Sequence, residues 1–74
     1  MINEIKNLHN QIPKDQLIRV ILNVENFEIA IAPEDVIKET NSGMLRIIRA
    51  NGNITSVNPE HIAMICHIWR GYYE

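Results

Sequence analysis

This sequence has few of the features that small proteins use to compensate for a small core. Its 74 residues include a single cysteine, Cys66, so no internal disulfide can form. No group of Cys and His residues has the spacing of a zinc site. A chain of this length buries only about 60% of the surface that its unfolded form exposes. Small scaffolds without disulfides or metals usually rely on a partner chain, so the sequence predicts a homo-oligomer without a metal or other cofactor.

An excess of positive charge and a glycine-rich loop are also missing. Seven Lys and Arg residues stand against nine Asp and Glu residues, for a net charge of −2. Nucleic-acid-binding domains are typically basic. With three glycines in all, an embedded nucleotide-binding loop is not expected. No Ser, His and Asp order or defined carboxylate pair is present, and we interpret the chain as non-enzymatic, with no catalytic residue.

Long apolar runs are absent as well. No stretch reaches the ~20 apolar residues that a membrane helix needs. The first residues, Met1 to Glu4, have neither the basic lead-in nor the apolar core of a signal peptide. Together with the lone cysteine, these absences predict a cytoplasmic protein that makes no contact with a membrane.

The sequence does contain an internal repeat, in which one short unit occurs twice. Residues 17–21 (LIRVI) match residues 44–48 (MLRII), and residues 31–37 (IAPEDVI) match residues 57–63 (VNPEHIA) with a slip of one position. Each copy reads as an apolar run, a turn, a second apolar run and a Pro-Glu bend. We call the bends at 32–35 and 58–61 the first and second elbow. The duplication predicts a pseudo-symmetric fold.

A short amphipathic helix is predicted ahead of the repeat, over residues 2–12. Its apolar residues recur at spacings of three and four, and they are Ile2, Ile5, Leu8 and Ile12. Pro13 ends the helix, because the residue before a proline is pushed out of the helical region. A helix this short is not stable alone in water and must dock on the rest of the chain.

Six short strands are predicted after the helix, in two units over 17–40 and 44–69 followed by a tail over 70–74. The predicted strands are 17–22, 27–32, 36–40, 44–49, 54–57 and 62–69. Phe27, Ile29 and Ile31 are expected on one face. Asn51-Gly52 predicts a type I′ turn, whose two central residues need positive φ. Residues 62–69 also fit a helical stripe, but as a strand they give each unit three strands.

The predicted fold is therefore mainly β with a short N-terminal helix, in a single domain over residues 1–74. Strands this short and this apolar on both faces suit a small barrel or a two-sheet roll. Such a fold would be built from the two similar strand-turn-strand-elbow units.

Two known groups of proteins share parts of this pattern. Residues 44–52 (MLRIIRANG) and 57–62 (VNPEHI) resemble small flagellar-operon proteins of the FlbD type. The whole chain is similar to Sm-like small β-barrels, which also set an N-terminal helix before a strongly bent sheet. The Hfq branch of that family carries a Tyr-Lys-His-type RNA motif in its final strand pair. The comparable stretch here, residues 59–62, has the acid Glu60 where that family has a base, which argues against RNA binding by the Hfq route.

Arg19 and Arg46 are the leading candidates for ligand binding. They occupy equivalent positions in the two units, each inside an apolar strand. A charge in such a strand has to face water, pair with an acid or meet an anion. The two arginines are therefore edge charges that prevent aggregation, partners of Glu28 or Glu60 in salt bridges, or a pair that grips a phosphate.

His61 and the C-terminal aromatic residues are further candidates. His61, after the second bend, is a ligand contact or general base, or else a solvated residue of the turn. Trp69, Tyr72 and Tyr73 are of the types enriched at interface hot spots and base-stacking surfaces. We expect all three at a subunit interface, with a cover over the barrel mouth as the alternative and Trp69 also a candidate for ligand binding.

Cys66 and His67 are adjacent, but they are not expected to form a catalytic pair. Successive residues of a strand point to opposite faces, so the two side chains would not meet. Cys66 is predicted to be a small buried residue of the core.

Three functional hypotheses follow from the sequence. The first is a cytoplasmic, homo-oligomeric binding or interaction protein with an unidentified ligand. The second hypothesis starts from composition. Small accessory proteins of this composition resemble phage or mobile-element products. Such a protein would inhibit a host enzyme or sequester a nucleotide signal, with Arg19 and Arg46 on the phosphates and an aromatic residue on the base. The third is a small-barrel RNA- or DNA-binding protein, which the net charge of −2 disfavours.

Overall fold

A computed structural model describes residues 2–24 and 27–73, without the side chains of Tyr72 and Tyr73. The described residues contain a helix α1, six strands and two short 3₁₀ helices, η1 and η2. In chain order these are α1 Ile2–Gln11, β1 Gln16–Leu22, β2 Glu28–Ile31, β3 Val36–Glu39, β4 Leu45–Ile48, β5 Ile54–Val57, η1 Pro59–His61, β6 Ile62–Trp69 and η2 Arg70–Tyr73. The prediction of a mainly β chain with one N-terminal helix is confirmed. Residues 62–69 form a strand, and residues 70–73 of the predicted tail form η2.

The strands form two three-stranded antiparallel sheets, and the two repeat units exchange strands between them. Sheet A has the order β2-β1-β6 and sheet B the order β3-β4-β5. Each unit supplies a hairpin to one sheet and, after its elbow, a third strand to the other sheet. The two hairpins share one register, since Ile18 pairs with Ile31 and the equivalent Leu45 pairs with Val57.

The two elbows share a backbone turn but differ in the side chain that closes it. Asp35 N–H donates to Ala32 O at 3.1 Å, and His61 N–H donates to Asn58 O at 3.0 Å. In the second elbow, Oδ1 of Asn58 accepts from the N–H of Glu60. In the first elbow the acceptor is the Asp35 carboxylate, which accepts from Ala32 N–H at 2.9 Å. The first elbow therefore contains a buried acid that the second lacks.

The core lies between the two sheets and is covered by α1. Its buried side chains are Ile5, Ile18, Val20, Ile29, Ile31, Leu45, Ile47, Val57 and Ile62. Ile5 is fully buried, which contributes roughly 1.5–3 kcal/mol to the docking of a helix that would not persist alone. His9 also lies with Nε2 3.0 Å from Ala32 O, which ties α1 to the first elbow.

The prediction that Phe27 lies on one face of a strand with Ile29 and Ile31 is wrong, because Phe27 is outside the strand. Phe27 precedes β2 and is exposed, whereas both isoleucines are buried. Its N–H donates to Val24 O and its carbonyl accepts from Leu22 N–H. The backbone of Phe27 therefore closes the β1–β2 connection, and its side chain turns away from the core.

The prediction that Cys66 belongs to the core is also wrong. Cys66 is half-buried and lies opposite Arg19, on the face of sheet A that points away from the core. The register between β1 and β6 shifts at Ile21 and Leu22, so the alternation along β6 changes. Ile62 and Ile65 pack on the core, and Cys66 faces outward.

Candidate functional site

The β4–β5 turn places an arginine at one end of the core. Gly52 N–H donates to Arg49 O at 3.0 Å, and Arg49 N–H donates to Asn53 O at 2.7 Å. The turn therefore centres on residues 50–51, and Gly52, with φ 90°, is the left-handed residue that closes a three-residue loop. The predicted type I′ turn centred on Asn51-Gly52 is wrong by one residue. The Asn51 side chain favours the observed loop, because its Oδ1 accepts from Asn53 N–H.

This register aims Arg49 into the space between the sheets. Along β4 the side chains of Leu45 and Ile47 are fully buried, whereas Arg46 points outward. Arg49 continues the inward alternation. Its Nη1 donates to the carbonyl of Ala30 in β2 at 2.5 Å and to Oδ2 of Asp35 at 2.8 Å.

Asp35 is the one buried charged residue in the described part of the chain. Its side chain is 5% exposed, against 26% for Arg49. Oδ2 of Asp35 accepts both from Arg49 and from Ala32 N–H. A buried carboxylate is tolerated only with partners of this kind. The acid in turn holds one edge of the Arg49 guanidinium in place.

Arg49 opens onto a cleft of about 560 Å³ between the first elbow, the β4–β5 turn and η2, which we call the Arg49 cleft. A second ion pair lies in it, in which Nη2 of Arg70 is 2.7 Å from Oε1 of Glu34 and Nη1 donates to Oε2 at 3.0 Å. The Arg70 guanidinium lowers the pKa of Glu34 below its ordinary value through this hydrogen bond. The cleft thus holds two arginines, each paired with an acid.

The chemistry that these groups offer is recognition of an anion. Guanidinium groups bind carboxylate and phosphate oxygens through paired N–H donors. The side chains of Asn51, Asn53 and Thr55 add polar groups to the wall of the cleft. Across residues 2–24 and 27–73, no group of three or more His, Cys, Asp and Glu residues is placed to hold a metal ion.

Arg19 lies outside this site. It sits on the outer face of sheet A, between Ala30 and Cys66 of the neighbouring strands. Its Nε donates to Oε2 of Glu28 at 2.6 Å, which is the salt bridge that the sequence offered as one alternative. Arg46 is on the outer face of sheet B. Because the inner faces of the sheets meet in the core, the two arginines lie on opposite outer faces and point away from each other.

The outer face of sheet B carries cations beside an apolar row. Arg46 lies directly opposite Lys38 on one side and Ser56 on the other. Among the described residues neither cation makes an ion pair. The neighbouring cross-strand row consists of Val36, Ile48 and Ile54. Val36 and Ile54 are exposed, so this face combines positive charge with apolar surface.

The remaining predicted residues also lie apart from the cleft. His61 is exposed at the end of η1. Trp69 ends β6 and is 60% exposed, and its indole lies so close to Gly71 that an added Cβ would clash with the ring. The side chains of Tyr72 and Tyr73 fall outside the described residues, so their role at an interface stays a prediction.

His67 and Cys66 are kept apart, as expected for neighbours on a strand. Nδ1 of His67 lies 2.7 Å from Oε1 of Gln16, whereas Cys66 lies opposite Arg19 on the other face of the sheet.

Sequence reasoning did not select Arg49, Asp35 or Arg70 for ligand binding. A signal was present in the differences between the two copies of the repeat. Arg49 stands where the first copy has Leu22, and Asp35 stands where the second copy has His61. These two charged residues, which the other copy does not repeat, are in contact with each other.

Comparisons of the chain with known protein families, curated protein sequences and solved structures gave no match. The resemblances to FlbD-type and Sm-like proteins stay predictions. Over the described ranges, no helix has the length and apolar character needed to cross a membrane.

Proposed function

We propose that this protein is a non-enzymatic binding protein that works as a homo-oligomer assembled by strand pairing between copies. The observation that carries the proposal is the outer edge of β6. This strand runs for eight residues and pairs with β1 along one side. Within residues 2–24 and 27–73, no strand pairs with its other side. Exposed apolar edges of this length are templates for pairing with another chain.

The four sheet edges differ in the residues that protect them. β2 carries Glu28, and β3 carries Lys38 and Glu39. β5 and β6 contain neither Pro, Lys nor an acid, the residues that usually blunt an edge. One unprotected edge is therefore present in each sheet. Pairing of β5 in one copy with β6 in the next is head-to-tail, and it closes into a ring where the rotation permits.

Each repeat unit contributes strands to both sheets around one core. This arrangement supports the proposal that the fold is a small barrel or a two-sheet roll. The predicted resemblance to Sm-like barrels is consistent with this arrangement. A chain of this size also gains from a partner, since its own core buries a limited share of its surface.

Light scattering at micromolar concentration tests the assembly. We expect one mass that is a multiple of the 8.6 kDa chain. Met64→Lys on β6 and Ser56→Lys on β5 add a charge at exposed edge positions. Both variants should become monomeric with unchanged circular dichroism. Glu39→Lys on the charged edge of β3 is the matched control and should assemble normally. A wild-type protein that is monomeric at every concentration would overturn the proposal.

A second candidate function is the binding of RNA or DNA on the outer face of sheet B. The supporting observation is that Lys38 and Arg46 are directly opposite each other, an arrangement that is unfavourable without an anion between them. Binding of an oligonucleotide should weaken steeply as salt rises. Arg46→Gln should reduce it, and Arg19→Gln, whose guanidinium is engaged by Glu28, should not. Absence of any salt-dependent binding would exclude this function. The nucleotide-signal and host-enzyme hypotheses stay predictions.

A further inference from the structure

The Arg49 guanidinium is held along one edge only. Both hydrogens of Nη1 have acceptors, the carbonyl of Ala30 and Oδ2 of Asp35. Asp35 is itself fixed by the N–H of Ala32. The position and the plane of the guanidinium are therefore set before any ligand arrives, which reduces the entropy cost of binding.

The other edge of the same group makes no hydrogen bond with any residue that the structure describes. Nε and Nη2 of Arg49 carry three further N–H donors, and none of them bonds to a described residue. The described residues contain no fully buried side-chain nitrogen or oxygen without a hydrogen bond. These donors therefore reach solvent, and the solvent-facing side of Arg49 is the wall of the Arg49 cleft. Paired N–H groups on one guanidinium edge match the oxygen spacing of a carboxylate or a phosphate.

Packing of the core does not require a charged residue at position 49. The equivalent residue of the first repeat is Leu22, which packs against the core as a partly buried apolar side chain. Bringing a cation between two sheets costs solvation free energy, and a second charge, Asp35, is then needed to offset it. An aliphatic residue would fill the same space without either charge.

We propose that the Arg49 cleft binds the oxyanion of a small ligand, a phosphate monoester or a carboxylate, on the Nε and Nη2 edge of Arg49. Arg70 supplies a second cation. Its pair with Glu34 is 35% and 42% exposed, and such a surface pair is worth little, so this pair does not prevent Arg70 from turning to the ligand. Asn51 lines the cleft with its amide nitrogen available, because Oδ1 is the atom that accepts from Asn53. The cleft volume of about 560 Å³ suits a small molecule.

Titration followed by NMR tests this assignment. The probes are inorganic phosphate, phenyl phosphate and benzoate, observed through the arginine Nε–H and asparagine side-chain amide signals. We expect saturable shifts at Arg49, Asn51 and Arg70. Shifts with phosphates alone or with benzoate alone support the site and identify which oxyanion it takes. No saturable shift with any probe, or shifts spread evenly over all cations, would overturn it.

Variants distinguish anion binding at the Arg49 cleft from nonspecific electrostatic attraction of anions to the protein. Arg49→Lys keeps the charge but loses the paired donors, and its affinity should fall about tenfold, equivalent to one hydrogen bond to a charged group. Arg70→Gln should weaken phosphate more than benzoate. Arg19→Lys, on the outer face of sheet A and paired with Glu28, is the matched control and should bind as wild type. Equal losses in Arg19→Lys and Arg49→Lys would refute the site. Since the oligomeric mass is measured separately, a monomer that still binds phosphate would overturn only the proposed assembly.

Discussion

Replacing Asp35 with alanine tests the arrangement that positions the candidate site. The change removes the acceptor of two hydrogen bonds, one from Ala32 N–H and one from Arg49. A neutral hydrogen bond contributes about 0.5–1.5 kcal/mol and one to a charged group about 1.5–3 kcal/mol. Arg49 is 26% exposed, so water partly replaces its lost partner. We therefore expect a loss of about 2–3 kcal/mol in the free energy of unfolding.

This loss is large for a small domain. Native stability is roughly 0.05–0.15 kcal/mol per residue, and in a chain this short each kcal/mol shifts the melting temperature by about 4–8 °C. Urea unfolding at fixed protein concentration, followed by circular dichroism, gives the free energy. Asp35→Asn keeps an oxygen for Ala32 N–H and loses only the charge, so it should cost about 1–2 kcal/mol.

The repeat supplies a matched control in His61→Ala. His61 occupies the equivalent position of the second elbow, is exposed and keeps the same backbone turn. Its replacement should stay within about 0.5 kcal/mol. A double-mutant cycle of Asp35→Ala with Arg49→Met should show a coupling of about 1–2 kcal/mol. The reasoning is refuted if Asp35→Ala costs no more than His61→Ala, or if the coupling is zero.

Three other substitutions give distinct expected results. Gly71→Ala places a methyl group in collision with the Trp69 ring, so the ring must move, and the fluorescence of this single tryptophan should shift. An unchanged spectrum would contradict the close approach. Gly52→Ala has free space but a φ of 90°, and it should cost about 1 kcal/mol in urea unfolding without a fluorescence change in the native state. Arg70→Gln should raise the pKa of Glu34 toward its ordinary value, as measured by carboxyl NMR. Because folding lowers the pKa of Glu34, the ion pair stabilises the protein at pH values above the ordinary pKa of Glu34, and this stabilisation is lost as the pH falls through the lowered pKa. A pKa that stays low in the variant would contradict this.

The helix and the strands followed from local patterns. Isoleucine-rich alternation and Pro13 act within a few residues, so the element types could be assigned without knowledge of the tertiary structure. The errors arose where the backbone departs from a regular two-residue turn or from regular strand pairing. Oδ1 of Asn51 accepts from Asn53 N–H and lengthens the turn, and the register shift in β6 turns Cys66 outward. Neither effect is visible in a periodicity.

The candidate site was hidden for a related reason. Whether Arg49 points inward depends on the turn that follows it, and its partner Asp35 comes from a different unit. Arg19 and Arg46 were predicted as ligand-binding residues because they occupy equivalent positions in the two copies. Equivalent positions, however, reflect features that both hairpins share, such as a charge on the outer face of a strand. Arg49 and Asp35, whose equivalents in the other copy are Leu22 and His61, form a contact that neither unit makes by itself.

The exchange of strands between the two units has a consequence for the order of folding. β1 is the centre of sheet A, and one of its two neighbours is β6, the last of the six strands to be synthesised. A nascent chain that has reached β5 can complete sheet B but leaves β1 open along one edge, with Ile18 and Val20 lacking part of their cover. Pairing of Gln16 with Trp69 spans most of the chain, and contacts this distant in sequence slow folding. We therefore expect the protein to fold in one cooperative step that waits for β6, whose pairing completes both the sheet and the core.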